Sequence, residues 1–182
     1  MPTERPIIQL GNPTLRQLAQ PVESIVDTQV QQLIDDLLLT VQASNGVGIA
    51  APQVAQSLRL LIVASRPNPR YPQAPVMEPT ALINPRLIAH SGETVKGWEG
   101  CLSIPGVRGL VPRYWEIEVE YLDRCGAVQR VVWTDFVARI FQHEYDHLEG
   151  KVFLDRVEST ADLMTEQEYK VRVLGEGADL GS

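Results

Sequence analysis

The chain has 182 residues, 44% of them hydrophobic and 21% charged, which suits one globular domain with a full core over residues 1–182. Its formal net charge of −7, with no basic run, argues against nucleic acid or an anionic membrane surface as the main partner. No apolar run is long enough to span a membrane, the first residues carry no signal-type or transit-type pattern, and two cysteines are too few for a disulfide scaffold; a reducing, cytoplasmic setting is expected.

Residues 7–22 read as an extended or irregular arm, punctuated by Gly11-Asn12-Pro13 and by Pro21. Asp27 or Thr28 can cap a first helix. Val30, Leu33, Ile34, Leu37, Leu38 and Val41 recur at helical spacing and give it one buried stripe. Its end is expected near Ser44-Asn45-Gly46, because Asn and Gly suit a left-handed cap. Residues 46–53, Gly-Val-Gly-Ile-Ala-Ala-Pro-Gln, read by themselves as a tight helix-to-strand connection whose small residues admit a close backbone or ligand. Gln53 adds a carboxamide donor, a group able to stabilise a developing oxyanion.

Residues 59–64 read as a buried strand. Residues 66–79 carry five prolines and are expected to form a surface loop tolerant of change. Residues 81–90 suggest a strand kinked at Pro85, with His90 on the surface. The stretch 93–98 leads into Glu99-Gly100-Cys101-Leu102-Ser103, and Ile104-Pro105-Gly106 is expected to turn the chain. Residues 114–122 and 127–133 form a hairpin pattern around a turn at 123–126, which makes Cys125 a turn residue.

Thr134 or Asp135 can cap the next helix, and Gly150 ends it. Its last turns read Gln142-His143-Glu144-Tyr145-Asp146-His147-Leu148-Glu149-Gly150 and contain H-E-x-x-H. Residues four apart on a helix stand one above the other, so His143 and His147 can offer two imidazoles to one metal ion. Glu144 can accept the proton of a water that the metal activates. A catalytic site of this type usually takes a third protein ligand. Three candidates exist. A metzincin would need histidine where this chain has Phe153. A thermolysin-like peptidase would use Glu166 or Glu168. Cys101 would supply a soft thiolate suited to zinc or ferrous iron. A purely structural metal site fits poorly, since it would take four protein ligands and have no use for Glu144. Phe136 and Ile140 share the His143 face and suggest an apolar pocket beside the metal, although plain core packing explains each one singly as well. Arg139 lies near that face with no partner legible. Asp146 either orders the site or pairs with a surface arginine. Ser159 or Thr160 can cap a final helix to about Val173, followed by a mobile tail over 175–182.

Taken together, the stretches 46–53, 99–103 and 142–150 resemble the three signature motifs of the peptide deformylases. Leu10-Gly11-Asn12-Pro13 with Leu15-Arg16, and Ile83-Asn84-Pro85, extend the likeness, which runs from about residue 7 to about 158. Glu166 and Glu168 fall beyond it, which counts against the thermolysin-like alternative. The resemblance implies a compact α+β domain with antiparallel β-sheets around the helix bearing the two histidines. It implies a hydrolase that removes the formyl group from the N-terminal formyl-methionine of newly made polypeptides and releases formate. Its partners would be N-formylmethionyl nascent polypeptides, met near the ribosome. By motif position, Cys101, His143 and His147 would hold one divalent ion, Fe2+ with Zn2+, Ni2+ or Co2+ as replacements. Glu144 would be the general acid/base, and Gln53 and the backbone N–H of Leu102 would bind the oxyanion. Val47, Gly48 and Gly100 would line the substrate main chain as an added strand, with Phe136 and Ile140 forming the methionine slot.

Overall fold

The computed structural model describes residues 1–175. The first helix, α1 (Thr28–Ala43), begins where Asp27 accepts a hydrogen bond from the Gln29 N–H at 2.7 Å. Its stripe of Leu33, Ile34, Leu37 and Val41 is buried against Ile49, Leu60, Ile62 and Ile83. It ends as the Asn-Gly pair implied. Asn45 takes φ +52°, the Gly46 N–H donates to Val41 O at 2.9 Å, and the Asn45 N–H donates to Gln42 O at 3.2 Å.

Eight strands and two further helices follow. They are β1 (Gly48–Ala50), β2 (Leu60–Val63), β3 (Thr80–His90), β4 (Thr94–Cys101), β5 (Ile104–Tyr114), β6 (Glu116–Leu122), β7 (Val128–Thr134), α2 (Asp135–Leu148), β8 (Leu163–Thr165) and α3 (Glu166–Arg172). The strands make a five-stranded sheet in the order β1-β2-β3-β6-β7 and a three-stranded sheet in the order β4-β5-β8. Every pairing between these strands is antiparallel. The α2 helix buries Ala138, Ile140, Phe141 and Leu148 against Leu61, Val63, Leu82, Ile117 and Val119 of the larger sheet. A separate cluster of Cys101, Ile104, Val111, Val152 and Phe153 packs the smaller sheet. This is the α+β arrangement expected, with antiparallel sheets about the H-E-x-x-H helix. β1 and β4 are edge strands of the two sheets, so each keeps one side free for a further strand.

Several local expectations need correction. Residues 46–53 are more than a connection: Gly48–Ala50 pairs with Leu61–Val63, and Ala51–Val54 forms a 3-10 turn. The chain reverses at Leu102-Ser103, not at residues 104–106. Cys101 faces Ile104 in the register, while Gly100 faces Arg108, so Pro105, Gly106 and Val107 fall in a bulge of β5. A bulge is where a strand tolerates a residue with no N–H and a glycine at φ +79°. The strand expected over 114–122 breaks at Trp115, between β5 and β6. The final helix is shorter than expected, since residues 163–165 add to β5 opposite Val107, Arg108 and Gly109, and α3 starts only at the Thr165 cap. The kink in β3 lies at Asn84, which takes φ +48° and whose side chain clamps both main-chain groups of Val22 at 2.8 and 2.9 Å. The hairpin at 123–126 forms as read, with Cys125 exposed. The tail after residue 175 lies outside the described residues.

Gly150 ends α2 at φ +67°, and a Cβ there would stand 2.8 Å from Arg16 O. Gly150→Ala is expected to lower the unfolding free energy by about 2 kcal/mol, from strain at a left-handed position. Urea titration reads this directly, and an unchanged midpoint at unchanged slope would contradict it.

Candidate metal centre

The α2 helix holds the His143 and His147 rings 5.4 Å apart, centroid to centroid. The turn between β4 and β5 brings Cys101 to them, with Sγ 3.4 Å from His147 Nε2. One donor atom from each of Cys101, His143 and His147 lies within 4.8 Å of the other two, and all three residues are buried. One soft sulfur and two imidazole nitrogens, converging with room for further ligands, fit a catalytic zinc or ferrous ion. The rival third ligands are engaged elsewhere. Glu166 makes a two-point pair with Arg108 at 2.6 and 2.9 Å. Glu168 pairs with Arg172 at 2.6 Å on the surface. Phe153 stacks on the His143 ring at 6.0 Å and is a wall of the site.

A buried network fixes the orientation of His143. Its Nδ1 lies 2.8 Å from Glu99 Oε2. Arg113 donates to both Glu99 oxygens at 2.9 and 3.0 Å and to Asp146 at 2.7 Å. Arg156 takes the other side of Asp146 at 2.6 Å. Burial by itself would raise the Glu99 carboxyl, but the Arg113 guanidinium and the His143 ring outweigh it and hold it well below the usual carboxylate range. A carboxylate there accepts the Nδ1 proton and leaves Nε2 as the donor to a metal. Arg139 also finds its partners in this network: Glu99 at 3.0 Å and the carbonyls of Val111 and Val95 at 2.8 and 2.6 Å. Burial would likewise raise the Cys101 thiol. The neighbouring His147 and His143 rings outweigh that too and hold it well below the usual thiol range.

Glu144 sits beside the donors, and its Oε2 is buried without a protein partner among the described residues. Burial pushes its carboxyl up to about 7. The closeness of β1 explains Gly48, since a Cβ there would come within 2.7 Å of Glu144 Oε1. Gln53 uses Oε1 to accept the Ala50 N–H at 2.8 Å, which turns Nε2 toward Ser103 Oγ at 3.2 Å and Cys101 Sγ at 3.6 Å. Val47, Gly48, Gln53, Gly100, Leu102, Phe136 and Ile140 line one cavity together with Cys101, His143 and Glu144. His147 is fully buried behind it. His90 lies apart, stacked on Tyr114 at 3.6 Å. Sequence reasoning missed three contributors. Glu99 was visible only as the carboxylate two residues before Cys101, and no pattern pointed to Arg113. Tyr71 lines the cavity from the proline-rich loop, which was expected to be surface alone. Among the described residues no helix is long and apolar enough to cross a membrane.

The family model described as polypeptide deformylase matches residues 4–162. By sequence the chain is similar to peptide deformylase 2 of Nostoc sp., at 69% identity over 165 residues, 91% of this chain and 92% of that protein. Peptide deformylase 2 of Shewanella oneidensis is 44% identical over 165 residues, 91% of each chain. By structure the chain is similar to a class I type b peptide deformylase from Acinetobacter baumannii with Met-Ala-Ser bound. The TM-score is 0.84 at 44% identity, covering 86% of this chain and 100% of that one. A peptide deformylase from Synechococcus elongatus in complex with actinonin gives a TM-score of 0.77 at 38% identity, covering 87% and 81%.

Cys101→Ala is expected to lose tight metal binding, whereas Glu168→Ala keeps it. Metal content of the purified, dialysed variants reads the difference, and stoichiometric metal in Cys101→Ala would remove the thiolate from the ligand set.

Proposed function

The chain belongs to the polypeptide deformylase family and removes the formyl group from formyl-methionyl polypeptides, and we propose that it does so with Glu144 as general acid/base beside an ion held by Cys101, His143 and His147. The observation that carries this assignment is the buried, unpartnered Oε2 of Glu144 next to three converging donor atoms. A divalent ion held by Cys101, His143 and His147 would supply Lewis acidity there and would lower the pKa of a water at the site. Glu144 takes the water's proton and returns it to the amine nitrogen as the C–N bond breaks, a task suited to a carboxyl pushed up to about 7 by burial. Gln53 donates from Nε2 to the developing oxyanion, its amide held in that sense by the Ala50 N–H. The Leu102 N–H is the second donor.

The substrate main chain enters as an added strand between the free edges of β1 and β4, at Val47, Gly48 and Gly100. Phe136 and Ile140, one turn apart on α2, form the slot for the methionine side chain. The Met-Ala-Ser bound to the Acinetobacter baumannii protein, a tripeptide that starts with methionine, supports this placement. Formyl carbon carries only hydrogen, so it fits a site where Gly48 is already packed on Glu144. An internal carbonyl would need an open cleft on both sides. We assign ferrous iron as the working metal, on the thiolate and the family likeness; zinc, nickel or cobalt suit the same donors. The substrate class puts the work in the cytoplasm, near the ribosome, and residues 1–182 are read as one catalytic domain.

Glu144→Gln is expected to keep its metal and lose about 10²-fold or more in kcat. Gln53→Ala should keep its metal and lose about 10²-fold through the oxyanion contact. Near-normal turnover in either variant contradicts the role given to it. The reaction itself is tested under anaerobic conditions with formyl-Met-Ala-Ser, its acetylated analogue and a long unformylated peptide. Formate is expected from the first alone. Internal fragments of the long peptide without formate from the first would overturn the reading. Aerobic peroxide should abolish the activity, and full activity after that treatment would count against iron.

A further inference from the structure

Tyr71 stands where the cavity beside the donors meets a second groove. The two share Arg70, Tyr71 and Phe136 as walls, and the groove continues past Gln73, Tyr169 and Leu174. The loop carrying Tyr71 is braced. Asn68 Oδ1 accepts the N–H groups of Arg70 and Tyr71 at 2.9 and 3.1 Å, Ser65 Oγ donates to Pro75 O at 2.6 Å, and Ala74 is buried. The Tyr71 ring packs 5.3 Å from Phe136 and lies under the Arg108 guanidinium at 5.0 Å. Its hydroxyl accepts from the Gly100 N–H at 3.3 Å and donates to Gly100 O at 3.5 Å. Those two groups lie on the edge strand β4, the side left open for an added strand.

We propose that Tyr71 is a specificity-determining gate of the substrate channel: its hydroxyl holds the main-chain groups of Gly100 that the peptide beyond methionine must take over. The inference rests on the reading of Gly100 as a main-chain partner of the substrate. One hydroxyl cannot bridge the N–H and C=O of a residue while a peptide pairs with the same groups, so binding exchanges one for the other. Both hydroxyl contacts are longer than ordinary hydrogen bonds and are weak. A peptide that continues past methionine replaces them with a further N–H and C=O. A substrate that ends at methionine has no residue to place against Gly100 and leaves both contacts intact. The gate therefore handicaps peptides that continue past methionine relative to a single formylated residue. The ring need not leave, because its contacts with Phe136 and Arg108 are made by the ring and not by the hydroxyl.

Tyr71→Phe keeps the ring and removes the competing group. Calorimetry on the metal-loaded protein is expected to show Met-Ala-Ser binding tightened about threefold or more, the size of one modest hydrogen bond. KM for formyl-Met-Ala-Ser should fall in step, with the gain in KM and not in kcat, and formyl-methionine amide should gain less. Unchanged or weaker tripeptide binding overturns the gate, as does an equal gain for the amide, which would locate the effect in the methionine slot. Failure of the unsubstituted protein to release formate would overturn the reading of the site instead, so the two failures are distinguishable.

Discussion

Glu99 is the carboxylate on which the site depends. It is almost wholly buried, yet it receives Arg113, Arg139 and the Nδ1 of His143 at 2.8–3.0 Å. Two guanidinium groups offset the cost of burying a negative charge, and that charge in turn fixes which imidazole nitrogen is left free for the proposed metal. The network also ties three elements together. Glu99 is on β4, Arg113 on β5, and Arg139, His143 and Asp146 on α2. Removing one partner from such a buried set typically costs about 3–5 kcal/mol, because the remaining charges are left uncompensated. The same contacts that orient a proposed ligand also hold the smaller sheet onto the helix.

Around that anchor, backbone geometry decides what can approach the donors. The β5 bulge at Pro105–Val107 lets the chain reverse over Leu102 and Ser103 and puts Cys101 within reach of His147. Gly48 brings β1 against Glu144 closely enough that no side chain fits between them. Burial pushes the Glu144 carboxyl up to about 7, which suits it to both take and return a proton. Two free strand edges flank the cavity, which suits the proposed entry of a peptide as an added strand.

The proline-rich loop has a role that its composition hides. Five prolines over 66–79 stiffen it, and the Asn68 side chain and Ser65 pin its ends. A stiff loop can hold an aromatic ring at a fixed place over the cavity, where a flexible one would pay entropy for each contact. Tyr71 lies at that place, between Phe136 and Arg108.

The sequence alone carried the local chemistry. Spacing four residues apart on a helix dictates that His143 and His147 converge, and the apolar stripe of α1 and the Asn-Gly cap followed from periodicity and φ preference. The third ligand could be chosen among Cys101, Glu166 and Glu168 only by likeness, because the distance between a strand turn and a helix is not encoded in spacing. Tertiary structure favours Cys101: Arg108 holds Glu166, while the β4–β5 turn places Cys101 beside His147. The same limit hid Arg113 and the partners of Arg139, since an ion pair 14 or 40 residues apart leaves no local pattern. It hid the β5 bulge and β8 as well. Pro105-Gly106 and the run 163–165 read locally as a turn and a helix start. Pairing with strands distant in sequence overrode both, because main-chain groups in an interior must find partners wherever the fold supplies them.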